Sequence, residues 1–356
     1  MDINNQKQTA GNGSTQIQGE NISINVGIDE MRAREICKET YNLMKTALTQ
    51  EATEEASKRV KCLEDKLIPK LIEYDKTLHF FKNPEFQFAL RHAQISAASS
   101  TLQEDYEVLS ELLLHQVKHN DDRGIKLTVN KAIDAVDKIS ESALCGLSCT
   151  YILSALIPQY NNPNALKLLD SIFGNVIKDC QLPTGSEWIE HLSLLDAIRV
   201  GIQNINPLKK FDDIFTRAIP QYFENGIEDN SEEMKNLKER LAQAAISLNN
   251  IFIPHPTKCG FHVLNLPKDK KLINPKLDVN QKLIIENMID KYKNSNFDDD
   301  KLKRNYVSQV KSYSNLNKLR SWWDSINISF SITPVGVVLA NAFAHGRDAS
   351  IQKISF

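Results

Sequence analysis

SALCGLSCTYILSALI, residues 142–157, decides how the rest of this 356-residue chain is read. It has no charged side chain, and none follows until Lys167. Crossing a bilayer takes about twenty apolar residues flanked by Trp or Lys/Arg belts. This run provides sixteen and lacks the belts, so it reads as the central helix of a packed core, with a membrane span as the alternative. A central helix needs other helices around it, and Ser148, Thr150 and Tyr151 then need hydrogen-bond partners inside the bundle.

The composition agrees with a helical protein. Hydrophobic residues make up 41% and charged residues 25%, with only 13 Gly and 12 Pro, a balance ordinary for a globular chain and rich in helix formers. The length suggests two or three domains. No signal peptide or lipidation motif is read near the N-terminus, which predicts a cytoplasmic protein. The six cysteines lack the paired spacing of a zinc site. Cys145 and Cys149 share one helical face, but their apolar neighbours predict buried free thiols.

Outward from the central run, helical periodicity fills most of the chain. Asp29 opens a long amphipathic helix, or a pair, reaching about Tyr74, with Pro69 expected to kink or restart it. The small residues from Ala47 to Ser57 predict close approach to a partner helix or a second chain. Asn83-Pro84-Glu85 is a helix start. Further helices are predicted over 103–118, 124–139, 163–177, 188–202 and about 231–250, and QLPTGS at 181–186 marks the break between two halves. IPHPTKCGFHVLNLPKDKKLINP, 253–275, reads as loop with a strand at 261–266. Helices over 279–292, 299–312 and 315–325 follow, then a strand at 327–332 and a closing helix from Thr333-Pro334 to His345. The domains so read are a β arm at 1–28, a helical domain at 29–180 and a second at 181–356.

The arm is the exception to the helical pattern. In NGSTQIQGENISINVGI, residues 12–28, Ile22, Ile24, Val26 and Ile28 alternate with polar or small residues, and Ile17 begins a similar alternation before Gly19. That is the period of a strand with one buried face. A hairpin of this length is not stable alone in water. It must dock on its own body or pair with arms of other copies, and self-association through Ile17, Ile22, Ile24, Val26 and Ile28 is the reading adopted here.

Candidate chemistry is sparse. His115 and His119 are one helical turn apart and could present two imidazoles to one metal, but without an HExxH pattern they read as solvated or capping histidines. His255, Cys259 and His262 give three ligand types in one loop and lack a fourth. Walker A, dinucleotide-binding and G-x-S-x-G motifs are not found. No enzyme activity, cofactor or metal is therefore expected. Between Lys258 and Arg320 there are fourteen Lys/Arg against seven Asp/Glu, a net of +7 in a chain of net charge −2. Tyr292, Tyr306 and Tyr313 lie among these bases. Lys268, Lys270, Lys271, Lys301, Lys303, Arg304, Lys311 and Arg320 are thus candidate phosphate contacts, but a solvated helical surface complementing an acidic half is the preferred reading, since no recognised motif fixes a base-contacting helix.

Three stretches resemble known families. GNGSTQIQGENISINVGI, 11–28, is similar to an Asn/Gln-rich β tag preceding helical domains in an uncharacterised family of bacterial proteins. KNPEFQFALRHAQISAASS, 82–100, and DYEVLSELLLHQV, 105–117, resemble the same family. ISFSITPVGVVLANAF, 328–343, resembles the strand and final helix of a winged-helix-like C-terminus, the LTPVG ending seen there and in the abortive-infection alpha family. The resemblance implies a mainly α fold ending in a winged-helix-like unit and a bacterial setting, of phage defence or of a mobile element, and carries over no catalytic residue. Val335 to His345 has no Lys or Arg, so that helix reads as a packing helix and not one that reads bases. The expectation is a mainly α, non-enzymatic, homo-oligomeric sensor or scaffold. Its partners would be other copies of itself and a phage or host protein. Nucleic-acid binding through 268–320 is the first alternative. The second is a membrane-perturbing effector exposing 142–157, although no membrane partner is expected.

Overall fold

A computed structural model describes residues 28–42, 49–119, 121–155, 164–201, 208–265, 277–292 and 300–353. The fold is a mainly α multi-helix assembly, organised around α6 (Glu141–Ala155) and α15 (Pro334–Arg347). Every residue from Ala143 to Leu153 is buried, as expected for a helix that is apolar all round. The hydroxyl of Ser148 donates to the Leu144 carbonyl at 2.8 Å and lies 3.2 Å from the Ala340 carbonyl of α15. Thr150 bonds back to the Gly146 carbonyl at 2.8 Å. Two of the three polar side chains are thereby satisfied on backbone, and Tyr151 meets Asn341 of α15. No helix among the described residues is long and apolar enough to cross a membrane.

Around this pair stand α2 (Gln50–Tyr74), α3 (Pro84–Ser99), α4 (Gln103–Lys118) and α5 (Arg123–Val136), with α15 packed on α4, α5 and α6. α1 (Glu30–Asn42) lies on α2 and α3. The small-residue face of α2 admits Tyr41 of α1 against Ala56 and Val60, with Ala98 of α3 beside them. The close approach expected there is therefore made within the chain. α2 is one continuous helix through Pro69, so it does not restart there. Pro69 and Asp65, whose carbonyl loses its helical donor, both face solvent, where water can replace the bond. Asn83 caps α3 through the Glu85 amide at 2.9 Å, with Pro84 in the first turn.

The chain continues through α7 (Ala165–Val176) and α8 (Glu187–Leu194). The helix expected to reach residue 202 stops at Leu194, because Asp196 takes a left-handed conformation (φ 58°). β1 (Ile198–Val200) follows and pairs antiparallel with β5 (Phe330–Ile332), Ile198 opposite Ile332. β5 leads through Thr333 into α15, whose Gly336 sits so close to β1 that a Cβ there would fall 2.0 Å from the Ala197 carbonyl oxygen. The closing strand and helix thus share the core of the body and do not form a unit of their own.

After α9 (Phe211–Ala218) the chain builds a separate small core from β2 (Ile227–Glu228), α10 (Glu232–Gln243), α11 (Leu248–Ile251), β3 (Phe252–Pro254), β4 (Phe261–Leu264) and α12 (Val279–Tyr292). Its sheet has the order β2-β4-β3, all antiparallel. Ser231 caps α10 through the Met234 amide at 3.1 Å. α13 (Asp300–Ser312) and α14 (Ser314–Ser325) return to the main core with Tyr306, Leu316 and Trp322. The two cores thus part near Phe223 and again between Tyr292 and Tyr306, and not at Cys180. QLPTGS is bound into the main core: Pro183 packs on Gly146 and its carbonyl accepts the Trp322 indole N–H at 2.8 Å. A cut at 180/181 would divide one core.

Candidate functional site

The C-terminal end of α2, the last two turns of α4 and the middle of α15 enclose a cavity of about 340 Å³. Helical spacing puts Glu107 and Glu111 of α4 on one face, toward α2. Lys70 of α2 reaches both carboxylates, at 2.6 Å to Glu111, and donates to the Ser110 hydroxyl at 2.8 Å. All three ammonium protons are thereby used. Lys66 joins Glu107 at 2.9 Å, and Lys353 joins Glu111 at 2.8 Å from beyond α15. Asn341 donates to the Gln352 carbonyl at 2.9 Å and the His345 ring to the Ile351 carbonyl at 2.7 Å. These bonds hold Lys353 at the cavity wall.

Burial works to raise both glutamates, but the ammonium hydrogen bonds outweigh it and hold them below the ordinary carboxyl range. His115, on the same wall, is pushed down to about 4 by burial, with His119 and Lys118 adding to the effect. Its ring lies 4.6 Å, centroid to centroid, from that of His119. At neutral pH this imidazole is uncharged and a weak base, which suits packing against a bound group better than moving protons. Leu112, Val338 and Ala342 give the cavity an apolar floor, and Tyr74 and Lys118 stand at its rim. Lys118 lies over the Tyr74 ring at 5.6 Å from the centroid.

Nothing in the sequence reading joined these residues. Lys70, Glu111 and Lys353 are too far apart for periodicity to pair them. The local signals are Glu111, a charge inside the apolar run LSELLL, and the His115/His119 pair one turn apart, which reads as solvated or capping whereas His115 lies part-buried on the cavity wall.

The other candidates are placed as follows. Ile17, Ile22, Ile24 and Val26 lie outside the described residues. Ile28 is buried in the chain's own core and its amide donates to the Thr77 carbonyl at 2.8 Å, so its side chain is not free for a second copy, against the expectation, and it fixes the root of the arm beside the end of α2. Lys268, Lys270 and Lys271 also lie outside the described residues. Lys301, Lys303, Arg304 and Lys311 are exposed on α13, with Arg304 and Lys311 seven apart on one face. Arg320 is turned inward and grips Asp212 of α9 through Nε at 2.9 Å and a terminal nitrogen at 2.7 Å. Cys145, Cys149 and Cys180 are buried, and the thiols of Cys145 and Cys180 both point at the Val176 carbonyl.

The 255–262 loop does not gather its three ligand types. His255 is buried, donating from Nε2 to the Glu224 carbonyl at 2.8 Å and accepting the Thr257 amide at Nδ1 at 3.0 Å. His262 pairs instead with Asp229, and Cys259 is exposed. Among the described residues no cluster of three His, Cys, Asp or Glu is arranged to hold a metal ion.

No curated protein and no solved structure matches the chain. A family model does match, over residues 27–347, so that it covers the helical body and begins one residue before the anchored Ile28; the chain belongs to that family, which is uncharacterised.

Proposed function

We propose that the protein is a non-enzymatic, homo-oligomeric interaction protein, a sensor or scaffold, whose copies associate through the alternating run that ends at Ile28. The observation that carries this reading is the anchoring of Ile28. Its side chain is buried and its amide bonded to Thr77, so the run of Ile22, Ile24 and Val26 is tethered within a few residues of a helical body that already has its own core. Burying three such side chains in a shared sheet is worth about 5 kcal/mol or more, while a lone hairpin is marginal. The start of the family match at residue 27 supports treating the preceding residues as an addition to the body. Resemblance of the 328–343 ending to the abortive-infection alpha family supports a role in bacterial defence against phage.

Light scattering tests the reading. The full chain is expected at a multiple of its 40.4 kDa protomer mass, and a chain lacking residues 1–27 at the protomer mass. Ile24→Lys, which puts a charge on the apolar face of the run, should shift the full chain toward protomer. Equal masses for the full and shortened chains would overturn the reading.

A further inference from the structure

We propose that the cavity between α2, α4 and α15 is a binding site for a small, flat aromatic monoanion, its ring held on the apolar floor and its charged group turned to Lys118. The inference stands apart from the assembly reading, because none of the residues it uses lies in the arm.

Size, shape and charge each narrow the ligand. A volume of about 340 Å³ is at the small end of pockets that bury organic ligands. The floor of Leu112, Val338 and Ala342 offers no polar group to a ligand's interior. Around it stand three planar side chains, Tyr74, His115 and His119, the two imidazoles 4.6 Å apart. A flat ring can stack against such walls, whereas a branched aliphatic body would leave their faces uncovered.

Charge settles the sign. Glu111, the one carboxylate on the wall, already has Lys70 at 2.6 Å and Lys353 at 2.8 Å. A cationic ligand would have to displace one of them. Lys118 differs: among the described residues it has no ion pair, and it lies over the Tyr74 ring at 5.6 Å from the centroid. An anion at the rim gains an ammonium that no carboxylate holds. With His115 uncharged at neutral pH, the lining carries one unmatched positive charge, which selects a monoanion.

Isothermal titration calorimetry with 2-naphthoate as the probe decides the matter, using neutral 2-naphthamide and cationic 2-naphthylmethylammonium as comparisons. The full chain should bind one 2-naphthoate, with the amide weaker by about fivefold, the upper end for a part-exposed ion pair. The ammonium compound should bind less than either. Lys118→Met, a change at an exposed position, should reduce 2-naphthoate to the level of the amide and leave the amide unchanged. Ala342→Phe should abolish binding of both by filling the floor, with circular dichroism confirming the fold. A chain lacking residues 1–27 should bind as the full chain does, so loss of assembly leaves this result untouched. No binding by the full chain, equal binding of the cation, or indifference to Lys118→Met would overturn the proposal. It would also fall if 2-naphthoate bound only a chain ending at Lys353, since the site would then belong to the chain's own residues 354–356.

Discussion

Acidification from pH 7 to pH 4.5 should draw opposite contributions to stability from two groups on α4, Asp105 and His115, which titrate in opposite senses over that range. Asp105, buried and accepting from the Ser100 hydroxyl, is raised by its burial from the ordinary 3.8 to about 6. Glu104, Asp137 and Glu141 reinforce the rise. The folded state therefore holds the Asp105 proton where the unfolded state has released it. Asp105 opposes folding above pH 6 and is relieved as pH falls toward 3.8. His115 is lowered from 6.5 to about 4, so the unfolded state takes up its proton first and stability is lost as pH falls from 6.5 toward 4. Integrated between pH 7 and pH 4.5, relief of Asp105 returns about 2 kcal/mol. His115 withdraws about 2 kcal/mol before solvent screening and ~1 kcal/mol after it, its ring being only part-buried.

The balance becomes visible when either partner is removed. Asp105→Asn should be more stable than the parent at pH 7, and that advantage should shrink by about 2 kcal/mol at pH 4.5. His115→Asn should match the parent's pH 7 behaviour and gain on it by ~1 kcal/mol at pH 4.5. Urea unfolding followed by the fluorescence of Trp188, Trp322 and Trp323 measures both. Stopping at pH 4.5 keeps Glu107 and Glu111, held low by their lysines, from losing their own contribution. Parallel curves, with each variant offset from the parent by the same amount at every pH, would refute the reasoning.

Gly336→Ala should cost ~3 kcal/mol or more, because the new methyl meets the Ala197 carbonyl and α15 must shift off β1. Calorimetry should record a fall in Tm of about 4 °C for a chain of this length. Arg320→Lys keeps the charge but loses the two-pronged grip on Asp212, and urea unfolding should show a loss of about 1 kcal/mol. Of the six cysteines only Cys259 is exposed, so a thiol reagent should modify one site rapidly in the native chain, and Cys259→Ser should remove that phase.

The elements that could be read from the sequence are those whose causes are local. Residues 142–157 announced a buried helix because no face of the run was polar. Asn83-Pro84 and Ser231 announced helix starts because a cap is satisfied within three residues. β1 was missed because its three residues gain a strand's hydrogen bonds only from β5, some 130 positions later. The division of the cores was missed for a similar reason. QLPTGS has the composition of a linker, and only its contacts with Gly146 and Trp322 show that it lies on the core. For the cavity, each helix was foreseen and the wall was not. Lys70, Glu111 and Lys353 meet because α2, α4 and the segment after α15 converge, and no periodicity carries that information.

The central position of α15 bears on how this protein is made. Ser148 and Ala340, which meet across α6 and α15, are 192 residues apart in the chain. At the ordinary pace of a ribosome, synthesis of that interval takes on the order of ten to forty seconds. For that time α6 has been made and the helix that covers it has not. The alternating run at 22–28, by contrast, is made before either helix. On a crowded polysome the arms of neighbouring nascent chains can meet before any of the bodies has closed.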